Sequence, residues 1–467
     1  MPDPKDADGR HQRGSSHYVA DLDEAIARAP GNPDAYRLRG AAHQELGNYQ
    51  QAVADFDEAI RLDPDDLGTY AQRAAALADD LDYDRAMADF GHVIAGDPEN
   101  PDAWIDRASA WIDRGNLHDD ASDFDRAIAD LDRAIELEPD NSLAWELRGD
   151  AWAGKVDFAR AIADFSHAIT LDPDDPEAWT KRGHGHGATG DYDRAVADFS
   201  HAITLDPDDP EVWTARGVLH ATMGDLDRGA SDLDRAIELD PKNPDTWSER
   251  ADIAAAMGDH SRAIDDLGRA IALDPEDDLA YLNRGLTLVD LGEYARAITD
   301  FDRAIALDPE HGFAYACRGS THHYNGDPER GIADFDRAIA LDPQDPAVFL
   351  SRGMALSDKG DHGRAIIDFG RAIDLVPDQP DAWVARGITR FAAADYDRAI
   401  SDFDHALELD PDNAAAYVAR GTAHRARGED DQAAADFALA VQFDPRAEPP
   451  PPGDPAPFVR RPRATRH

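Results

Sequence analysis

Histidines, carboxylates and one thiol are the side chains through which this chain could do chemistry, and their spacing decides whether they can. His184 and His186 lie two residues apart and His322 and His323 are adjacent, so on a helix neither pair points to one face. Cys317 is the only cysteine, which excludes an internal disulfide and a Cys/His metal set, and no His-Glu-x-x-His sequence occurs. His43, His186, His220, His322 and His424 share one column of a repeating pattern with Trp111 and Trp152, a mixture that reads as a packing site. His92, His167, His201 and His405 share a second column with Arg and read as exposed. Asp119, Asp120, Asp123 and Asp125 crowd around the segment NLHDDASD (116–123), which lacks the turn glycine and closing Glu of a calcium loop. It reads as a longer solvated turn with a capping Asp. No glycine-rich phosphate loop, nucleophile elbow or isolated acid–base pair is present. The expectation is a non-catalytic protein with no cofactor, no metal and no catalytic residue.

The chain has 467 residues, with 96 acidic against 47 basic side chains and a net charge of −49. Such a surface repels phosphate backbones and anionic membranes, and attracts basic or amphipathic proteins and peptides. No apolar run approaches the 18 residues of a membrane span, and the first 16 residues are polar rather than signal-like. A soluble, cytoplasmic protein is therefore expected.

What positions these side chains is a period. The phrase DFSHAITLDPDDPE at 164–177 returns unchanged at 198–211. Prolines at 64, 98, 139, 173 and onward to 445 are spaced by 34 residues, with one gap of 41. That divides 33–447 into twelve units, the third carrying seven extra residues near 116–123. Each unit reads as two helices. In 176–209, Asp175 caps a first helix that has Pro176 in its first turn, Gly190 ends it, and Asp191 is expected to cap a second helix. Leu205-Asp206-Pro207 closes the unit. Leu81, Val156 and Ala394 stand where other units have the turn glycine, so those turns are expected to be looser or the helix longer.

The columns of the pattern describe packing. Every first helix carries an aromatic residue, Trp179 and Trp213 for example, followed four residues later by Gly or Ala. Every second helix carries Phe or Leu between small residues, with Val93 once in place of Ala. The series aromatic, Gly/Ala, Gly-Asp-Tyr, Ala, Phe, Ala, Pro at period 34 resembles the tetratricopeptide repeat over 33–447. The resemblance implies an all-α fold, a right-handed superhelical solenoid of helix-turn-helix units whose first helices line a concave groove. The Lys and Asn that hold a peptide carboxylate in some members of that family are not matched at Arg37, Ala71, Ile105 and Glu146 or at Ala41, Ala75, Ser109 and Asp150.

Two charged columns stand out. An Arg precedes each Gly/Ala of the first helix, among them Arg182, Arg216, Arg250 and Arg284. An Asp precedes each Phe/Leu of the second, among them Asp164, Asp198, Asp232 and Asp266. Both flank packing residues, so they are expected to pair as a structural ladder within a unit or between adjacent units. Groove columns are acidic, small or polar from 67 to 277 and become apolar afterwards. Leu279, Leu282, Leu286 and Val289 open that second half, Phe313, Ala316, Leu350 and Met354 continue it, and Val384, Ile388, Phe391 and Val418 complete it. A contiguous exposed apolar patch marks an interface.

The ends differ from the middle. Residues 1–15 are expected to be disordered, 16–32 to form a half-repeat capping helix, and 448–467 to be a disordered Pro-rich basic tail. Arg460, Arg461, Arg463 and Arg466 are placed to touch the chain's own acidic surface, and Phe458 and Val459 to cover the last helix, which otherwise exposes Leu439. The functional expectation is a scaffold holding a partner helix or peptide in the groove of 278–447. A subunit recruiting an enzyme encoded elsewhere, and self-assembly through the uncapped C-terminal end, are the alternatives.

Overall fold

A computed structural model describes residues 18–447. Among them every regular element is a helix, and they fall into two compact units that meet between Pro241 and Lys242. In the first unit, α1 covers 18–28. It is followed by α2 (Pro33–Glu45), α3 (Tyr49–Leu62), α4 (Leu67–Asp79), α5 (Tyr83–Gly96), α6 (Pro101–His118) and α7 (Ala121–Leu137). Then come α8 (Ser142–Gly154), α9 (Phe158–Leu171), α10 (Pro176–Ala188), α11 (Tyr192–Leu205), α12 (Pro210–Thr222) and α13 (Leu226–Leu239). The second unit holds α14 (Pro244–Ala256), α15 (His260–Leu273), α16 (Asp278–Asp290), α17 (Tyr294–Leu307), α18 (Gly312–Tyr324) and α19 (Pro328–Leu341). It ends with α20 (Pro346–Asp358), α21 (His362–Leu375), α22 (Pro380–Ala392), α23 (Tyr396–Leu409), α24 (Ala414–Ala426) and α25 (Asp430–Phe443). Within each unit every helix packs on the next in the chain, so each unit is a solenoid of helical hairpins. No described helix is long and apolar enough to cross a membrane. The expectations for 1–15 and for the tail at 448–467 lie outside the described residues.

The hairpin of 176–209 shows why the period produces this. The Asp175 carboxylate accepts the Glu177 amide N–H at 2.9 Å, and Pro176 sits where an N–H would have no partner. Gly190 takes φ +79°, and the amide N–H of Asp191 donates to the His186 carbonyl at 2.9 Å, which closes the helix. Asp191 precedes α11 without a side-chain cap bond. The Trp179 indole N–H donates to the Pro173 carbonyl at 3.0 Å, so the proline that ends one unit also seats the aromatic of the next. Ala195, Phe199, Ala202 and Ile203 are buried along α11. A Cβ on Gly183 would stand 2.7 Å from the Phe199 ring, so that column stays small because the ring lies against the backbone.

Two expectations fail here. The turns at Leu81, Val156 and Ala394 are neither looser nor preceded by a longer helix: α4, α8 and α22 have the usual 13 residues. The three residues adopt φ of 60–62°, so the turn imposes its left-handed conformation whatever the residue. The seven extra residues of the third unit do not form a solvated turn either. They lengthen the hairpin: α6 has 18 residues and α7 has 17, joined by Asp119 and Asp120 alone. Asp119 takes φ 52°, which Asp tolerates, and Asp120 caps α7 by accepting the Ser122 amide N–H at 2.9 Å.

Candidate functional site

The Arg and Asp columns meet within each hairpin, 16 residues apart in every unit but the third, where Arg107 and Asp130 are 23 apart. Arg182 donates through Nε and Nη2 to the two carboxylate oxygens of Asp198 at 2.9 and 2.7 Å. Arg216 does the same to Asp232 at 2.8 and 2.7 Å, and Arg250 to Asp266 at 2.8 and 2.6 Å. The partner of Asp164 is Arg148 and that of Arg284 is Asp300, each held by the same fork at 2.7–2.8 Å. Arg216 and Asp198, separated by 18 residues, are not a pair. The third nitrogen reaches back to the preceding hairpin: Arg318 Nη1 to Asp302 and Arg352 Nη1 to Asp336 at 2.6 Å, and Arg216 Nη1 to the Ser200 hydroxyl at 3.0 Å. Each guanidinium also lies over the aromatic ring three residues before it, 4.6 Å from the Trp179 centroid for Arg182. In Arg216, Arg318 and Arg352 all three guanidinium nitrogens are thus met by the fold itself, and the Asp partners of the column are buried.

The third hairpin carries two such rungs. Arg107 binds Asp130 at 2.6–2.7 Å, and seven residues on in one helix and seven back in the other, Arg114 binds Asp123 at 2.6–2.7 Å. Asp123, grouped with a candidate cation loop by spacing alone, is 1 % exposed and also accepts from Arg126. The signal was in the sequence: WIDR occurs at 104 and again at 111, and Asp-Phe-Asp-Arg at 123 is answered by Asp-Leu-Asp-Arg at 130.

The groove columns differ between the two units. In the first, Glu146 on α8 is buried and accepts from Lys181 Nζ at 2.6 Å. The same ammonium donates to Asp150 at 2.8 Å and lies 2.9 Å from Glu177, which uses all three of its protons. Burial pushes the Glu146 carboxyl up to about 7 against the opposing pull of Lys181, with the Asp175 carboxyl beside it adding to the rise. Burial raises Asp106 and Asp113 as well, helped by Asp102 and Asp79 respectively. The Glu146–Lys181 contact escaped the column reading because it joins residues 35 apart. That separation recurs across neighbouring first helices in Gln44–Asp79 at 2.8 Å and His323–Asp358 at 2.9 Å.

From α16 onward in the second unit the first helices present apolar side chains. Leu279, Phe313 and Met354 are 55, 54 and 40 % exposed on α16, α18 and α20. A hollow of about 210 Å³ opens among the same helices, lined by Leu286, Val289, Phe313, Ala316, Cys317 and Ser320, with Val348 and Ser351 across from them. Burial pushes the Cys317 thiol up to about 12, so it is a neutral wall of the hollow rather than a nucleophile. Leu282 does not belong with this set: it is 4 % exposed and packs in the core with Leu288 and Phe301. Leu350, Val384, Ile388, Phe391 and Val418 are half-buried, the first four packed beside core clusters. At the end of the unit, Val441 and Phe443 are the exposed apolar residues of α25, and Leu439 is half-buried.

Comparison with known proteins adds a family. Models described as tetratricopeptide repeat match residues 112–176, 248–311, 318–380 and 384–448, residues 184–251 and residues 33–66. No curated protein matches. Among solved structures, the chain is similar to the Cut9–Hcn1 hetero-tetramer of the APC/C (17 % identity, 94 % of this chain and 92 % of that chain, TM-score 0.44). It is also similar to yeast Tom70 (18 %, 88 % and 92 %, TM-score 0.38). A third is YrrB, described as a TPR protein with an unusual peptide-binding site (23 %, 40 % and 96 %, TM-score 0.36).

Proposed function

The chain belongs to the tetratricopeptide repeat family, and from that premise we propose that it is a non-catalytic scaffold which holds a partner helix or extended peptide against the first helices of 278–447. The observation that carries this reading is the hollow between α16, α18 and α20, flanked on those helices by the exposed side chains of Leu279, Phe313 and Met354. Water-facing apolar side chains around a concavity favour an apolar anchor from another molecule. The ligand is an amphipathic segment: an apolar side chain enters the hollow, and basic residues beside it meet a chain of net charge −49. The domain limits follow the same logic, with 33–447 as the array and α1 as its N-terminal cover, which buries Leu22 and sets Asp23 against Arg39.

Phe313 is about half exposed, so covering the rest contributes about 2 kcal/mol, roughly 30-fold in affinity. The test is to select binders from a displayed library of amphipathic peptides on the full-length chain and measure them against Phe313→Ser. Binders that weaken by about that factor, with an unchanged far-ultraviolet circular dichroism spectrum, support the reading. Binders indifferent to Phe313→Ser and to Leu279→Ser overturn it. A second reading, self-assembly through α25, draws on the exposure of Val441 and Phe443. Light scattering that returns a monomer across concentration removes it.

A further inference from the structure

The array supplies its own standard for what each position ordinarily holds, and at two positions where it departs from that standard the side chains meet. The residue capping the first helix of a unit is Asp or Asn in ten of twelve units; His311 is an exception and makes no side-chain cap bond to α18. The next position is Pro in seven units and carries a charge only at Asp278. These two residues, 33 apart, come together: His311 Nδ1 lies 3.2 Å from an Asp278 carboxylate oxygen. Asp308, at the end of α17, completes a group of three whose ligand atoms all lie within 4.8 Å of one another.

We propose that Asp278, Asp308 and His311 bind a divalent transition-metal ion of the zinc class. One imidazole nitrogen and two carboxylates make a borderline donor set suited to zinc and its first-row neighbours. Calcium prefers six to eight oxygens, which three side chains do not supply. Ligand bonds of about 2.0–2.1 Å place neighbouring donors roughly 3.3 Å apart in a tetrahedron, close to the His311–Asp278 separation. Asp308 uses one oxygen to accept the Glu310 amide N–H at 2.9 Å. Its other oxygen closes on the ion through a side-chain rotation, and water fills the remaining position. The N-termini of α16 and α18 oppose a cation with about half a charge each, against two full carboxylate charges. The ion ties the first turn of α16 to the first turn of α18 through the end of α17. Leu279 and Phe313 project from those two turns, but the site stands without any partner in the groove.

The test is calorimetric titration of the untagged full-length chain with zinc alone at about pH 7.5. His311→Asn and Asp278→Ser are titrated alongside. Both place a residue that the same column uses elsewhere, Asn243 and Ser142 for example, so both are expected to fold. Zinc bound elsewhere on the acidic surface is common to all three chains and cancels. The wild type should bind one more equivalent than either variant, and only the wild type should gain in melting temperature with equimolar zinc. Equal stoichiometry and equal affinity in the three chains overturn the proposal and leave His311–Asp278 as an ordinary hydrogen bond.

Discussion

Replacing Arg216 with Met removes two charge-assisted hydrogen bonds to Asp232, one to Ser200, and the cation over the Trp213 ring at 4.9 Å. What remains is the more serious matter: Asp232 is 6 % exposed and is left with no guanidinium to meet it, only the His220 imidazole 3.8 Å away. Breaking a buried pair from one side costs roughly 3–5 kcal/mol. Arg216 retains partial exposure at 17 % of its side chain, so water softens the loss and about 3 kcal/mol is expected. Asp232→Leu strands the guanidinium and should cost a similar amount. The double variant leaves no charge stranded and fills the space with apolar atoms, so it should cost only about 1 kcal/mol. A repeat array opens piecewise, which makes amide hydrogen exchange in α12 and α13 the suitable readout rather than global melting. Exchange limited by local opening should accelerate about 150-fold in each single variant and about 5-fold in the double. Single variants that exchange no faster than the double would show that the pair carries no mutual dependence, and the ladder would then be a packing pattern that happens to be charged.

Two further outcomes follow from the geometry. Val156 sits at φ 60° with 71 % of its surface exposed, so Val156→Gly relieves left-handed strain without losing packing. A gain of about 0.5–1 kcal/mol is expected after the entropy of the added glycine, measured as slower exchange at the α8–α9 turn; a loss would mean the turn is not strained. Glu146, raised from 4.5 to about 7, binds its proton more tightly folded than unfolded. Its contribution is therefore complete below about pH 4.5 and lost as pH rises through 7, by about 1–3 kcal/mol. The stability of the wild type relative to Glu146→Gln should fall over that window in melting experiments; parallel curves would contradict it.

How much of this is legible in the sequence depends on what periodicity can and cannot distinguish. The aromatic, small and Phe columns announce two helices per unit because each unit repeats its capping residues, its turn and its stop. Pairing is another matter. In a chain of period 34, Asp232 lies 16 residues after Arg216 and Asp198 lies 18 before it, so every candidate partner recurs with equal regularity. Only the fold of the hairpin, two helices of 13 and 14 residues about a three-residue turn, selects the 16-residue separation. Exposure fails for a related reason. Leu282 and Leu279 are both apolar and both near the front of α16, yet one faces Phe301 and the other faces solvent. A three-residue shift along a helix turns a side chain by about 300°, too near a full circle for column averages to separate core from rim.

The third hairpin shows what the smallest working part of this fold is. Its two rungs repeat after seven residues in each helix, about 10.5 Å along the axis. Seven residues turn an α-helix through two revolutions less about 20°, so the second Arg, aromatic and small residue return to nearly the same face as the first. Trp111, Arg114 and Gly115 accordingly reproduce Trp104, Arg107 and Ala108, and the Cβ of a residue at Gly115 would meet the Phe124 ring at 3.0 Å, the close approach that Gly183 makes to Phe199. An insertion that turned Asp123 away from Arg114 would bury an unpaired carboxylate. The excess of seven residues thus comes with a second matched rung at the seam, and it identifies the rung rather than the 34-residue unit as the module on which the packing is built.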